Sequence, residues 1–142
     1  MTELTRLTAQ ELELMKVIWR RHPVTVRDVY EVLRQHRKIA YTTVMTMMGI
    51  LEKKGHLERA KEGRAYLYKP TRPQHKTVAA LVRDFVDKVF DGSAKPLVMN
   101  LVEDEAISAE DWEDIMGRID GIEEADKAGE TEEVDGIDGE RS

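Results

Sequence analysis

The 142-residue chain contains no cysteine, which excludes disulfides and any thiolate-held metal. No apolar run approaches the ~20 residues that a membrane-spanning helix needs. Met1 to Gln10 lacks the apolar core of a signal peptide, so a soluble, cytoplasmic protein is expected. The histidines are His22, His36, His56 and His75. None stands at metal-ligand spacing from another His or a carboxylate on one helical face, so each reads as a surface or loop residue. Neither a glycine-rich phosphate loop nor a G-x-S-x-G elbow is present. With no catalytic constellation in sight, no enzyme activity, metal or cofactor is expected.

What the chain does have is charge, unevenly placed. Residues 1–76 hold 16 Lys and Arg against 8 Asp and Glu, a net of +8. Residues 77–142 hold 6 against 20, a net of −14, which together give the overall −6. A basic front half can gather around a polyanion, and an acidic back half cannot. The basic half could equally be a solvated surface without a partner.

Helical signals come first. Thr8 followed by Glu11 fits a capping box, with Leu12, Met15, Ile18 and Trp19 at helical spacing behind it. His22-Pro23 ends that helix. Thr25 caps a second, striped by Val26, Val29, Tyr30 and Leu33. After a short connection at residues 37–39, a third helix runs from Tyr41 to Lys53-Lys54 and stops at Gly55. Residues 56–60 and 66–69 then alternate with period two around a glycine-containing turn, Lys61 to Arg64, which predicts a β-hairpin closed by Pro70. A fourth helix follows Pro73, a short fifth spans Pro96 to Glu103, and a sixth starts at Ser108. The acidic stretch from Asp126 onward reads as a disordered tail.

Three helices followed by a hairpin is winged helix-turn-helix order. The expected fold is therefore mainly α, with a winged-helix domain over residues 1–72. A helical region over 73–125 and an acidic tail over 126–142 complete it.

On a helical wheel the third helix divides in two. Val44, Met47, Met48 and Leu51 form a core face. Thr42, Thr43, Thr46, Gly49 and Lys53 fall on the other side, with Met45 and Ile50 flanking. Threonine can bond phosphates or base edges, and its methyl can pack on a thymine methyl. Gly49 would permit close approach of a phosphate backbone at a helix-propensity cost of ~1 kcal/mol. Thr42, Thr43 and Thr46 are thus candidates for base edges or nearby phosphates, and Tyr41, Lys53, Lys54 and Arg64 for the backbone. Lys61, Arg64 and Lys69 make the hairpin cationic, which suits a phosphate strand or an edge guarded against aggregation.

The segments LTAQELELMKVIW, VTVRDVYEVL and AYTTVMTMMGILEKKGHLERAKEGRAYLYKP resemble the penicillinase-repressor family, the BlaI/MecI/CopY type of bacterial winged-helix repressors. The resemblance covers residues 4 to about 122. It implies a homodimer on a palindromic DNA operator that blocks transcription, with the C-terminal helices as the dimer interface. By that likeness Leu81, Val82, Phe85, Val86, Val89, Phe90, Leu97, Val98, Trp112, Ile115 and Ile119 are the interface candidates. An intramolecular helical subdomain is the alternative use of these apolar faces. Two departures stand out. The β-lactam-responsive members have Lys and Arg where this chain has Thr42 and Met45, and the copper-responsive members carry a Cys-x-Cys motif that a cysteine-free chain lacks.

Val98-Met99-Asn100-Leu101-Val102-Glu103 resembles the segment that a membrane-bound sensor metalloprotease cuts in β-lactam-type repressors. By that resemblance Asn100–Leu101 would be the scissile bond, with Leu101 in place of the family's usual Phe. A dimeric winged-helix interaction module that does not bind DNA is the rival reading.

Overall fold

The computed structural model describes the chain from Arg6 to Gly136, with side chains as far as Asp126. The chain divides into two compact units, one ending at Gly92 and one beginning at Ser93.

The first unit opens with α1 (Ala9–Arg20) and α2 (Val26–Leu33), and both start as the sequence predicts. Thr8 Oγ1 accepts from the Glu11 amide at 3.1 Å while Glu11 Oε1 accepts from the Thr8 amide at 3.0 Å. Thr25 and Asp28 repeat the reciprocal pair at 3.1 and 2.9 Å. Each box satisfies donors that the first turn of a helix leaves without intrahelical partners.

Helix α3 (Tyr41–Lys53) is followed by a hairpin of β1 (Leu57–Glu62) and β2 (Ala65–Pro70), antiparallel in the register Leu57↔Pro70 to Glu62↔Ala65. The strands are longer than the alternation suggested, taking in Lys61, Glu62 and Ala65. The turn shrinks to Gly63-Arg64. Gly63 takes φ 66°, the positive φ a two-residue hairpin turn requires at its first central position. Val24 adds a bridge that the sequence did not signal: its amide donates to Tyr68 O at 3.0 Å, and the Tyr68 amide returns a bond to Val24 O at 2.7 Å.

The core lies under these elements. Leu14, Met15, Ile18, Val29, Leu33, Val44, Met48 and Leu51 are buried from the helices, and Val24, Leu57 and Tyr68 from the base of the hairpin. Arg37 reaches back from the α2–α3 connection to Glu13 on α1 at 2.9 Å, which fixes that connection over the core.

α4 (Gln74–Phe90) follows and ends at Asp91 in the left-handed region, φ 51°. Before it, Trp19 Nε1 donates to Arg72 O at 3.3 Å. The sequence reading begins the helical region at Pro73, whereas by compactness α4 belongs with the first unit.

The second unit holds α5 (Lys95–Glu103) and α6 (Ala109–Gly136). Ser108 Oγ accepts from the Asp111 amide at 3.0 Å and starts α6. The helix continues past Asp126, where a disordered tail was expected. Ala, Lys and Glu among the residues after Asp126 favour helix even without an apolar stripe. Residues 137–142 of the expected tail lie outside the described residues.

Candidate nucleic-acid interface

α3 is two-faced in the structure. Val44, Met48 and Leu51 are fully buried and Met47 nearly so, while Thr42, Thr43, Met45, Thr46, Ile50 and Lys53 are exposed. Its N-terminus differs from those of α1 and α2. Ala40 offers no side-chain cap, so the Ala40 and Thr43 amides lack the side-chain acceptors that the boxes supply in α1 and α2. The Thr43 amide turns to Ala40 O at 3.1 Å, and the Tyr41 and Thr42 amides have no intrahelical partner. Uncapped amides at the positive end of a helix dipole favour an anion. A Cβ built on Gly49 would meet nothing within 4 Å, so the helix surface is open there.

Tyr41 is half-buried at this end. Its ring stands edge-on to Tyr30 of α2, centroids 5.5 Å apart, and the Arg27 guanidinium lies 5.3 Å from its centroid. Arg34 covers Tyr30 at 5.9 Å and pairs with Glu31 at 2.8 Å. Arg27 thus stands beside the start of α3, Arg34 lies behind it against Tyr30, and the two share Glu31, Arg27 at 3.5 Å. Sequence reasoning missed both, although Arg27, Tyr30 and Arg34 at helical spacing were a usable signal.

The two lysines at the end of α3 part company. Lys53 is exposed with no salt-bridge partner among the described residues. Lys54 turns inward: its Nζ donates to Glu11 Oε1 at 2.8 Å and to Arg6 O at 3.0 Å. Glu11 is 5% exposed. Burial alone would raise its pKa, but the Lys54 hydrogen bond, the Thr8 amide and the lysine charge outweigh it and leave the carboxyl below its ordinary value. Lys54 therefore closes the fold by tying the end of α3 to the start of α1, and a backbone contact is not its first occupation.

On the hairpin the register sorts the side chains. Arg59 and Lys61 share a face with their cross-strand partners Tyr68 and Tyr66; Glu58, Glu62 and Lys69 point the other way. Lys69 is paired with Glu58 at 3.6 Å on that second face. Arg64 is exposed at the turn. Arg59 lies over Tyr66, 4.1 Å from its centroid, and its Nε is 3.4 Å from Glu52 of α3. The wing is thereby joined to the outward side of α3 by groups the sequence reading did not select.

His56 corrects an expectation. It is buried at 1% exposure, and neither ring nitrogen has a hydrogen-bond partner. Its amide closes the end of α3 on Leu51 O at 2.9 Å, which carries the ring into the core. Burial, and next the Lys54 charge, push its pKa down.

The interface candidates fall on both units. On α4, Val82, Phe85 and Val89 are about half exposed, and Leu81 and Phe90 are partly covered. Val86 is only 8% exposed and already buried within the protomer. In the second unit Val98, Trp112, Ile115 and Ile119 are exposed and Leu97 is half-buried. Asn100 and Leu101 are exposed on α5, with Asn100 O accepting from the Asp104 amide at 3.0 Å inside the helix.

No described helix is long and apolar enough to cross a membrane. The family model for penicillinase repressors matches residues 7–121. The transcriptional regulator BlaI of Mycobacterium tuberculosis is 38% identical over 105 residues, covering 72% of this chain and 76% of that protein. The penicillinase repressor of Bacillus licheniformis is 29% identical over 111 residues, 78% of this chain and 87% of that one. Among solved structures, the monomeric form of B. licheniformis BlaI in complex with the blaP half-operator aligns at 35% identity and TM-score 0.44. That alignment covers 49% of this chain and 84% of the other. With the family model spanning most of its length and a regulator at this identity beside it, the chain belongs to the penicillinase repressor family.

Proposed function

We propose that the protein is a cytoplasmic transcriptional repressor that binds a palindromic DNA operator as a homodimer through its winged-helix unit. The relatives it matches are repressors and regulators of transcription. One observation carries the DNA reading on this chain. α3 is anchored by a buried apolar face and offers an exposed face of Thr42, Thr43, Thr46 and Lys53, with an uncapped N-terminus. Threonines and free amides at that end suit phosphates and base edges, and Lys53 suits a phosphate. Few long donors reach outward, so phosphate positioning and dimer spacing would carry more specificity than bidentate base reading.

The dimer reading rests on the exposed apolar residues of α4, α5 and α6. Exposed apolar surface on this scale in an isolated protomer marks an association surface. A palindrome suits a two-fold dimer, which binds both half-sites together and gains avidity. Cleavage at Asn100–Leu101 by a membrane-bound sensor metalloprotease would end that avidity. The bond lies within a helical turn, so a protease would first have to unwind α5.

The test is a fluorescence-anisotropy titration of the full chain on the DNA upstream of its own gene and on random duplex, from low to physiological salt. The reading expects operator preference and a log–log salt slope of several units. Salt-insensitive, sequence-blind binding, or none, would favour a winged-helix module that binds protein instead. Thr46→Ala is expected to narrow the gap between operator and random DNA. Equal losses on both would remove Thr46 from base reading.

A further inference from the structure

We propose that the Glu52 carboxylate is a built-in counterion for Arg59, one that a DNA phosphate displaces, making Arg59 a phosphate contact of the wing controlled from α3. The inference rests on the DNA-binding reading and deepens it.

The strands of the wing carry cations on both faces, but only one face is net positive. Register places Arg59 and Lys61 with Tyr66 and Tyr68, and Glu58, Glu62 and Lys69 on the reverse. Lys69 is neutralised there by Glu58. The usable positive charge of the strands therefore sits on the face that meets α3.

Arg59 is held in place before any ligand arrives. Its guanidinium lies 4.1 Å from the centre of the Tyr66 ring, while Lys61 Nζ lies 6.0 Å from the same ring. On its other side Arg59 Nε is 3.4 Å from Glu52 Oε2. Both members of that pair remain part-exposed, at 41% and 33% of their side chains, so the pair is open to exchange with an anion from solvent. Stacking fixes the plane of the guanidinium, and the Tyr68 hydroxyl beside it favours the charged form more than Glu52 does. The Nε edge that faces Glu52 can still change acceptor.

Glu52 completes the argument by its place on the helix. It follows Thr42, Met45 and Gly49 at intervals of three and four residues, so it ends the outward stripe of α3. A carboxylate on a surface meant for DNA is costly unless something holds it, and Arg59 holds it. When a phosphate takes the guanidinium, the pair is traded rather than simply lost. Glu52 then sets a threshold: weak, diffuse contact with phosphates does not repay the exchange, and a well-seated backbone does.

The test is a salt titration of operator and random duplex with the full chain and with Arg59→Gln, Arg59→Lys, Glu52→Gln and the double variant, circular dichroism first establishing that each is folded. Arg59→Gln is expected to reduce the salt slope by about one unit, and to weaken binding about tenfold near 0.1 M salt, for each half-site the dimer occupies. Arg59→Lys should restore the slope, since it restores the charge. Glu52→Gln should tighten binding several-fold, most on random DNA, and that gain should shrink when Arg59 is already Gln. A wild-type slope in Arg59→Gln would overturn the phosphate contact. A Glu52→Gln gain of the same size with and without Arg59 would overturn the counterion role and leave Glu52 as simple repulsion. Failure of the unsubstituted chain to show salt-dependent binding would overturn the DNA reading and this proposal together, which separates the two failures.

Discussion

At the end of α3 one lysine is exposed and the next is drawn inward to a buried carboxylate, so adjacent residues of the same type should respond differently to removal. Lys53→Ala is expected to leave stability within about 0.5 kcal/mol, as for an ordinary surface change, and to lower the salt slope of DNA binding by about one unit. Lys54→Ala leaves Glu11 buried without its cation and is expected to lose ~1–3 kcal/mol in urea unfolding. Equal stability of the two variants would contradict the division of labour. Two buried titratable groups also make the first unit acid-sensitive. His56 is held below the ordinary histidine value, first by burial. The unfolded chain then binds the proton more tightly, and stability falls as the pH drops below about 6.5. Glu11, held below its ordinary value, adds a loss at lower pH as it protonates. The thermal midpoint is expected to decline from pH 7 to 5.5, and His56→Leu should flatten that decline. An unchanged decline in the variant would assign it elsewhere.

α3 shows where an element's stability and its use diverge. Gly49 is helical, and a Cβ there meets nothing in the free protein. Gly49→Ala should therefore stabilise the fold by up to ~1 kcal/mol in urea unfolding. It should also weaken operator binding if the duplex comes close at that point, and unweakened binding would move the contact off the helix midpoint. The elements themselves were largely legible because their signals are local. The capping boxes join residues three apart, and the core face of α3 follows from helical periodicity alone. The turn at Gly63 was located, though its strands were read too short, because alternation fades where both neighbours are charged. What joins elements was not legible. The Val24–Tyr68 bridge, the Lys54–Glu11 pair and the Arg59–Glu52 pair depend on tertiary approach that no spacing announces. Arg59 and Tyr66 were missed for that reason, and His56 looked like an exposed strand residue until the end of α3 turned it inward.

For the whole molecule, the exposed apolar residues of α4, α5 and α6 set the assembly prediction. Phe85 is 47% exposed and packs edge-on to Phe90 at 6.0 Å, so a charge there should disturb association more than folding. Phe85→Glu is expected to shift the chain from dimer to monomer in sedimentation equilibrium and to weaken operator binding 100-fold or more through lost avidity. A variant that stays dimeric would remove α4 from the interface. The Val24–Tyr68 bridge carries a consequence at this scale too. It roots the hairpin in the same core that seats α3, so helix and wing meet a duplex as a caliper with fixed jaws. Such a tool gauges groove width as well as touching phosphates, and it penalises DNA whose shape does not match the gap. Base steps beneath the wing that no side chain contacts should then alter affinity, with narrow A·T-rich flanks and wide G·C-rich ones ranked apart.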